Sequence, residues 1–74
     1  VYIIKSLTTG KFYCGQSKNL KDRIERHNNG LSKYTKHGIP WVMIWNKECQ
    51  SRAEAMLLES KIKKRGISRF IQSL

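Results

Sequence analysis

The sequence predicts an α+β fold: a small three-stranded, mainly antiparallel sheet flanked by helices, in the order ββαβαα. Three observations carry that prediction. The chain opens on two β-rich runs separated by a glycine-bearing turn, an uninterrupted apolar pentad lies in its second half, and the stretches around that pentad show helical spacing with caps. Its 74 residues are expected to form one domain, 1–74. A domain of this size hides only roughly 60% of its unfolded-chain surface, so any active site should be a shallow surface groove.

Val1-Tyr2-Ile3-Ile4-Lys5 and Lys11-Phe12-Tyr13-Cys14-Gly15, joined by a turn at Thr8-Thr9-Gly10, read as an antiparallel hairpin. Strand alternation puts Tyr2 on the face of Ile4 and Tyr13 on the face of Gly15, so both phenols can point into one shared space. Ser17 or Asn19 can cap a helix from about Leu20 to Asn28, with Asp22 in its first turn and Gly30 as its stop. On that helix Leu20, Ile24 and His27 share one face, with Arg23 at its edge.

Leu31 to Pro40 has no clean period and contains the breakers Gly38 and Pro40. It reads as an exposed loop with at most one short helical turn, presenting Lys33, Tyr34, Lys36 and His37. Cations interleaved with an aromatic suit a phosphate backbone and a stacked base, and they suit a solvated connector equally well. Trp41-Val42-Met43-Ile44-Trp45 reads as a third strand covered on both faces, its tryptophans in or beside the core. Ser51-Arg52-Ala53-Glu54 fits a capping box, opening a helix that runs to Lys64 or Arg65 and stops at Gly66. Ala55, Leu58 and Ile62 form its buried stripe, and Glu59 falls at the boundary between core and surface. Ile67 to Leu74, with Ser68 as its cap, reads as a short closing helix.

Fifteen Lys and Arg against five Asp and Glu give a formal net charge of +10 and a pI near 10.1. Charge of that sign and density attracts polyanions and releases their counterions on binding, which favours nucleic acid as partner. A ribosomal site, an anionic membrane surface and a merely soluble basic surface are the blander alternatives. Cys14 and Cys49 are too few and too far apart for a disulfide scaffold, and with His27 and His37 they lack the close ligand pairs of a zinc site. Nothing reads as a signal peptide or a bilayer-spanning stretch, so the expected location is cytoplasmic, with no membrane and no obligate protein partner.

Several of these residues form an ordered set. Val1-Tyr2, the spacing to Tyr13-Cys14-Gly15 followed by Gln16-Ser17, the run Arg23-x-x-x-His27-Asn28-x-Gly30, and Ala55-x-x-x-Glu59-x-x-Ile62-Lys63 together resemble the GIY-YIG nuclease family. The resemblance runs from the first residue to about Lys64 and is greatest to the small stand-alone bacterial members. Two positions depart from the pattern: no glycine precedes Val1, and Cys14 stands where a β-branched residue is common.

The resemblance implies a GIY-YIG endonuclease-like fold and a metal-dependent endonuclease that hydrolyses phosphodiester bonds in nucleic acid, with DNA favoured over RNA as the substrate. It assigns Glu59 as the single metal-binding carboxylate for Mg²⁺ or Mn²⁺, Arg23 to the scissile phosphate, and His27 to the neighbourhood of the nucleophile. Tyr2 becomes the general base or water-orienting group, and Tyr13 joins the same cluster. Such chemistry is plausible for these side chains. A guanidinium pairs two phosphoryl oxygens, a neutral imidazole can relay a proton, and magnesium takes few carboxylates and keeps water. A phenol of ordinary pKa about 10 is a poor base, and a metal with nearby cations is expected to favour its phenolate.

Read without the resemblance, Glu59 is a salt-bridge partner of a neighbouring lysine, Arg23 a solvated helix residue, His27 a satisfied core residue, and the tyrosines ordinary strand packing. Gly15 permits close backbone approach at the strand end. Lys11, Lys18, Lys33, Lys36 and Lys63 read as a surface that positions the nucleic acid. The rival class is a non-catalytic basic nucleic-acid-binding module with the same fold.

Overall fold

A computed structural model describes all residues, Val1–Leu74. The elements are β1 (Tyr2–Ser6), β2 (Phe12–Gly15), α1 (Leu20–Asn28), one 3-10 turn (Lys36–Gly38), β3 (Trp41–Asn46), α2 (Arg52–Arg65) and α3 (Ile67–Gln72). The sheet is wholly antiparallel in the order β2-β1-β3, so the ββαβαα order and the α+β class hold.

The first strand is the middle of the sheet, and its alternation divides the core in two. Tyr2 and Ile4 face a layer made by Trp41, Tyr13, Met43 and the α1 residues Leu20 and Ile24. Val1 and Ile3 face the opposite layer, where Cys14 meets Ala55 and Ile62 of α2 and Phe70 of α3. Ile3 and Ile4 are both fully buried, each against a different set of helices. β1 is therefore the strand covered on both faces.

That position was expected for the pentad in β3, and the structure corrects it. β3 is an edge strand, with Val42 and Ile44 partly in solvent at 38% and 40% exposure. Its continuous apolarity has a different cause. The register passes from Ile3↔Trp45 to Ile4↔Met43, leaving Ile44 as the extra residue of a β-bulge. The bulge inverts strand parity, so Trp41 and Met43 join the α1 layer whereas Trp45 joins the α2–α3 layer. There its ring meets Phe70 edge-on, with centroids 4.9 Å apart.

Both long helices start where the caps require. The Asn19 side chain accepts from Asp22 N at 3.0 Å, and Ser17 Oγ accepts from Asn19 N at 3.1 Å. Ser51 Oγ accepts from Glu54 N at 3.1 Å; only this half of the expected capping box forms. Gly66, at φ +100, ends α2 and also occupies the position before α3, which has no side-chain cap. Ser68 therefore lies inside α3 rather than at its start, and Leu74 lies beyond the helix end.

The segment between α1 and β3 is less open than expected. Lys33, Tyr34, Lys36 and His37 are exposed, but Thr35 and Gly38 are buried. Ser6 Oγ donates to the Gly38 carbonyl, Thr8 Oγ1 donates to the Ile39 carbonyl at 2.7 Å, and Leu7 N donates to the Pro40 carbonyl at 2.9 Å. These bonds tie the segment to the far end of β1. No helix of the protein is long and apolar enough to cross a membrane.

Candidate active site

The hairpin register sets Tyr2 opposite Gly15 and Tyr13 opposite Ile4, which brings the two phenols to one face of the sheet. Their ring centroids lie 6.4 Å apart. α1 delivers His27 onto the same spot: the Tyr2 hydroxyl is 3.0 Å from His27 Nε2, and the imidazole meets the Tyr13 ring edge-on at 5.0 Å. Tyr2 and His27 are almost wholly buried, at 2% and 3% exposure, whereas Tyr13 is half-buried. Gly15 is what admits this arrangement, because a Cβ there would stand 2.7 Å from the Tyr2 hydroxyl oxygen.

The opposite side of the imidazole holds a residue the sequence reading missed. Thr35 is 1% exposed, and its Oγ1 lies 2.7 Å from His27 Nδ1. The same residue's carbonyl accepts from Trp41 Nε1 at 2.7 Å. Asn28, next to His27, then clamps Trp41: its Oδ1 accepts from Trp41 N at 2.6 Å and its Nδ2 donates to Trp41 O at 3.0 Å. No local pattern marks Thr35, since its role depends on how the segment returns to β3.

Electrostatics assign protonation states. Burial, with Tyr13 beside it, pushes the Tyr2 phenol up to about 12; Arg23 opposes this, and Glu59 adds to it. Burial thus outweighs Arg23, and in the protein itself Tyr2 keeps its proton at neutral pH; the expected shift toward phenolate rested on a metal together with cations, and the cations alone do not supply it. His27 is held below its ordinary value of 6.5, first by burial and then by the charges of Arg23 and Arg26, so the imidazole is neutral. The site at rest is a protonated phenol against a neutral ring. Burial and Glu59 push the Cys14 thiol up to about 11, which makes it a packing group rather than a nucleophile.

Arg23 lies one turn before His27 on α1, exposed, with its charge felt at both Tyr2 and His27. Glu59 stands on α2, on the other layer, and its charge is felt at Tyr2 and Cys14. Its side chain is 21% exposed, and its Oε2 lies 3.6 Å from Lys63 Nζ, so the salt bridge offered as its plain reading does form. A partly exposed i,i+4 pair at this separation is weak and leaves the carboxylate available to a stronger partner. No group of three His, Cys, Asp or Glu side chains gathers anywhere in the protein. A lone carboxylate does not make the closed cage that zinc or calcium takes.

An open groove of about 1270 Å³ is lined by Val1 and Gln16, next in the chain to Tyr2 and Gly15, and by Lys18, Arg23, Lys47 and Arg52. Of the five lysines singled out from sequence, only Lys18 lines it. Lys11, Lys33, Lys36 and Lys63 are exposed elsewhere. Lys47 and Arg52 were missed: Lys47 follows β3 and Arg52 opens α2, and no local pattern says that both border the groove.

Comparison with known proteins matches residues 1–69 to the GIY-YIG catalytic domain. The chain is 36% identical over 64 residues to the UPF0213 protein of Staphylococcus aureus strain Mu3 / ATCC 700698, an alignment covering 85% of this chain and 77% of that protein. The UPF0213 proteins of strains Mu50 / ATCC 700699 and N315 match with the same identity and coverage. No solved structure matches significantly. With the motif residues in order along the chain and the hairpin phenols beside the helix histidine, this chain belongs to the GIY-YIG catalytic domain family.

Proposed function

We propose that the protein is a divalent-metal-dependent endonuclease that hydrolyses phosphodiester bonds in nucleic acid, with DNA as its substrate. Membership of a nuclease family supplies the reaction class, and a net charge of +10 supplies attraction to the polyanion. The observation that carries the reading is the 3.0 Å bond between the Tyr2 hydroxyl and His27 Nε2, with the Tyr13 ring against the imidazole. Simple core packing does not require a buried phenol and a buried imidazole to meet at the margin of a basic groove.

In the proposed mechanism Tyr2 orients the attacking water and takes a proton from it on its hydroxyl oxygen. Its own proton passes to His27 Nε2. The phenol thus acts as a relay and needs no resting phenolate, which fits its raised pKa. The water oxygen forms its bond to phosphorus as the bond to the leaving oxygen breaks, and the departing alkoxide takes a proton from solvent. Arg23 neutralises charge on the phosphoryl oxygens, and Tyr13 keeps the imidazole in place. A Mg²⁺ or Mn²⁺ ion held by Glu59 supplies, when bound, further positive charge for the phosphoryl and leaving oxygens. Lys18, Lys47 and Arg52 hold the strand along the groove, and Lys11, Lys33, Lys36 and Lys63 add a wider field.

The test is purified protein incubated with labelled single-stranded, branched and duplex DNA and the matching RNAs, with Mg²⁺ and with EDTA. Cleavage of DNA is expected only with the metal. Glu59→Gln should abolish it while binding persists. Salt-sensitive binding with no metal-dependent, Glu59-dependent scission of any substrate would reject the nuclease and leave the non-catalytic binding module.

A further inference from the structure

We propose that Thr35 is a positioning residue that fixes His27 in its Nδ1–H tautomer, so that the Nε2 lone pair faces the Tyr2 hydroxyl. The observation is a chain of four groups: Tyr2 Oη, 3.0 Å from His27 Nε2; His27 Nδ1, 2.7 Å from Thr35 Oγ1; and Thr35 Oγ1, 3.5 Å from the Ser32 carbonyl. The catalytic consequence rests on the nuclease reading. The tautomer itself does not.

A neutral imidazole carries one proton, and the chain can be filled in two directions. With the proton on Nδ1, Tyr2 donates to Nε2, Nδ1 donates to Thr35, and the Thr35 hydroxyl turns to the Ser32 carbonyl. Every donor then has an acceptor. With the proton on Nε2, the ring donates to Tyr2 Oη and the threonine donates to Nδ1. The Tyr2 O–H is then left over. Tyr2 is 2% exposed, and its hydroxyl has no other protein partner within hydrogen-bond range. A buried donor without an acceptor carries its full desolvation penalty, so the chain runs from Tyr2 to Ser32.

The direction matters because only an unprotonated Nε2 can receive the proton that Tyr2 must pass on. The other tautomer presents an N–H to the phenol and blocks the relay. Thr35 earns this role through placement: its side chain is buried in a segment whose neighbours Tyr34 and Lys36 are exposed, and Trp41 Nε1 holds its carbonyl. Valine fills the same volume but offers no oxygen, and serine restores the oxygen without the methyl group.

The experiment is two-bond ¹H–¹⁵N correlation NMR of the ¹⁵N-histidine-labelled full chain at neutral pH, with His37→Gln to separate the two histidines. Wild-type His27 is expected to show a protonated Nδ1 and a bare Nε2. Thr35→Val strands the Nδ1 proton, so it should shift the ring toward Nε2–H and lower kcat by a clear margin at little-changed KM, and Thr35→Ser should keep both the tautomer and the rate. A protonated Nε2 in the wild type overturns the inference, whether or not Thr35→Val folds. So does a folded Thr35→Val whose ring keeps its proton on Nδ1. A wild type that shows the expected tautomer, loses it in a folded Thr35→Val and cuts no nucleic acid upholds the role of Thr35 and rejects the nuclease reading alone.

Discussion

A single methyl group at Gly15 tests whether the Tyr2–His27 contact organises the site. The added Cβ would stand 2.7 Å from the Tyr2 hydroxyl oxygen and 2.9 Å from Cζ. An ordinary contact needs roughly 3.5 Å, so the phenol must retreat by about 0.8 Å. Retreat away from His27 stretches a 3.0 Å hydrogen bond past its useful range, and retreat toward His27 drives the oxygen into the ring. Both routes destroy the geometry. Overpacking and the lost bond together cost about 2–4 kcal/mol, which in a domain this small lowers Tm by roughly 13–26 °C. Displacement of a reacting group by almost an ångström should slow cleavage by about 100-fold. Circular-dichroism melting and single-turnover cleavage of Gly15→Ala measure the two effects separately. A variant that melts within about 2 °C of wild type and cuts at an undiminished rate would refute the claim that Gly15 makes room for the phenol.

Asn28→Ala removes both bonds that clamp Trp41 and strands the Trp41 amide, so unfolding in urea should show a loss of about 2 kcal/mol. The depressed basicity of His27 gives stability a sign with pH. The unfolded chain takes up that proton near 6.5 while the folded ring resists it, so stability falls as the pH drops below 6.5 and levels off below the folded-state value. Urea midpoints at about pH 7.5 and about pH 5 should differ in the wild type, and His27→Gln should shrink the difference. Lys18→Ala, in the groove wall, should weaken DNA binding without regard to sequence and reduce the slope of log K against log salt by about 1, as read by fluorescence anisotropy.

What the sequence disclosed was mostly local. Asn19 and Ser51 announce their helices because each cap is satisfied within three residues, and Gly66 ends α2 where a left-handed backbone is needed. Two-residue alternation was enough to put Tyr2 and Tyr13 on one face, and three- and four-residue spacing enough to turn His27 inward. The motif resemblance named Glu59, which periodicity alone left as a boundary residue with a lysine neighbour. The misses arise where two segments distant in sequence meet. The bulge at Ile44 depends on a partner strand some forty positions away, and it turned an edge strand's change of face into an apparent two-sided burial. Thr35 gains its meaning only when the segment after α1 folds back over His27. The upward push on Tyr2 comes from burial, which a list of nearby cations does not reveal.

The second residue carries the hydroxyl proposed to orient the water, and it belongs to the one strand that both helical layers grip. No edge can peel away and leave that hydroxyl in register, because its neighbours Ile3 and Ile4 anchor opposite halves of the interior. Strand scission should therefore fade with heat along the same sigmoid as the melt, making the protein either competent or unravelled, with no loosened form that still cuts.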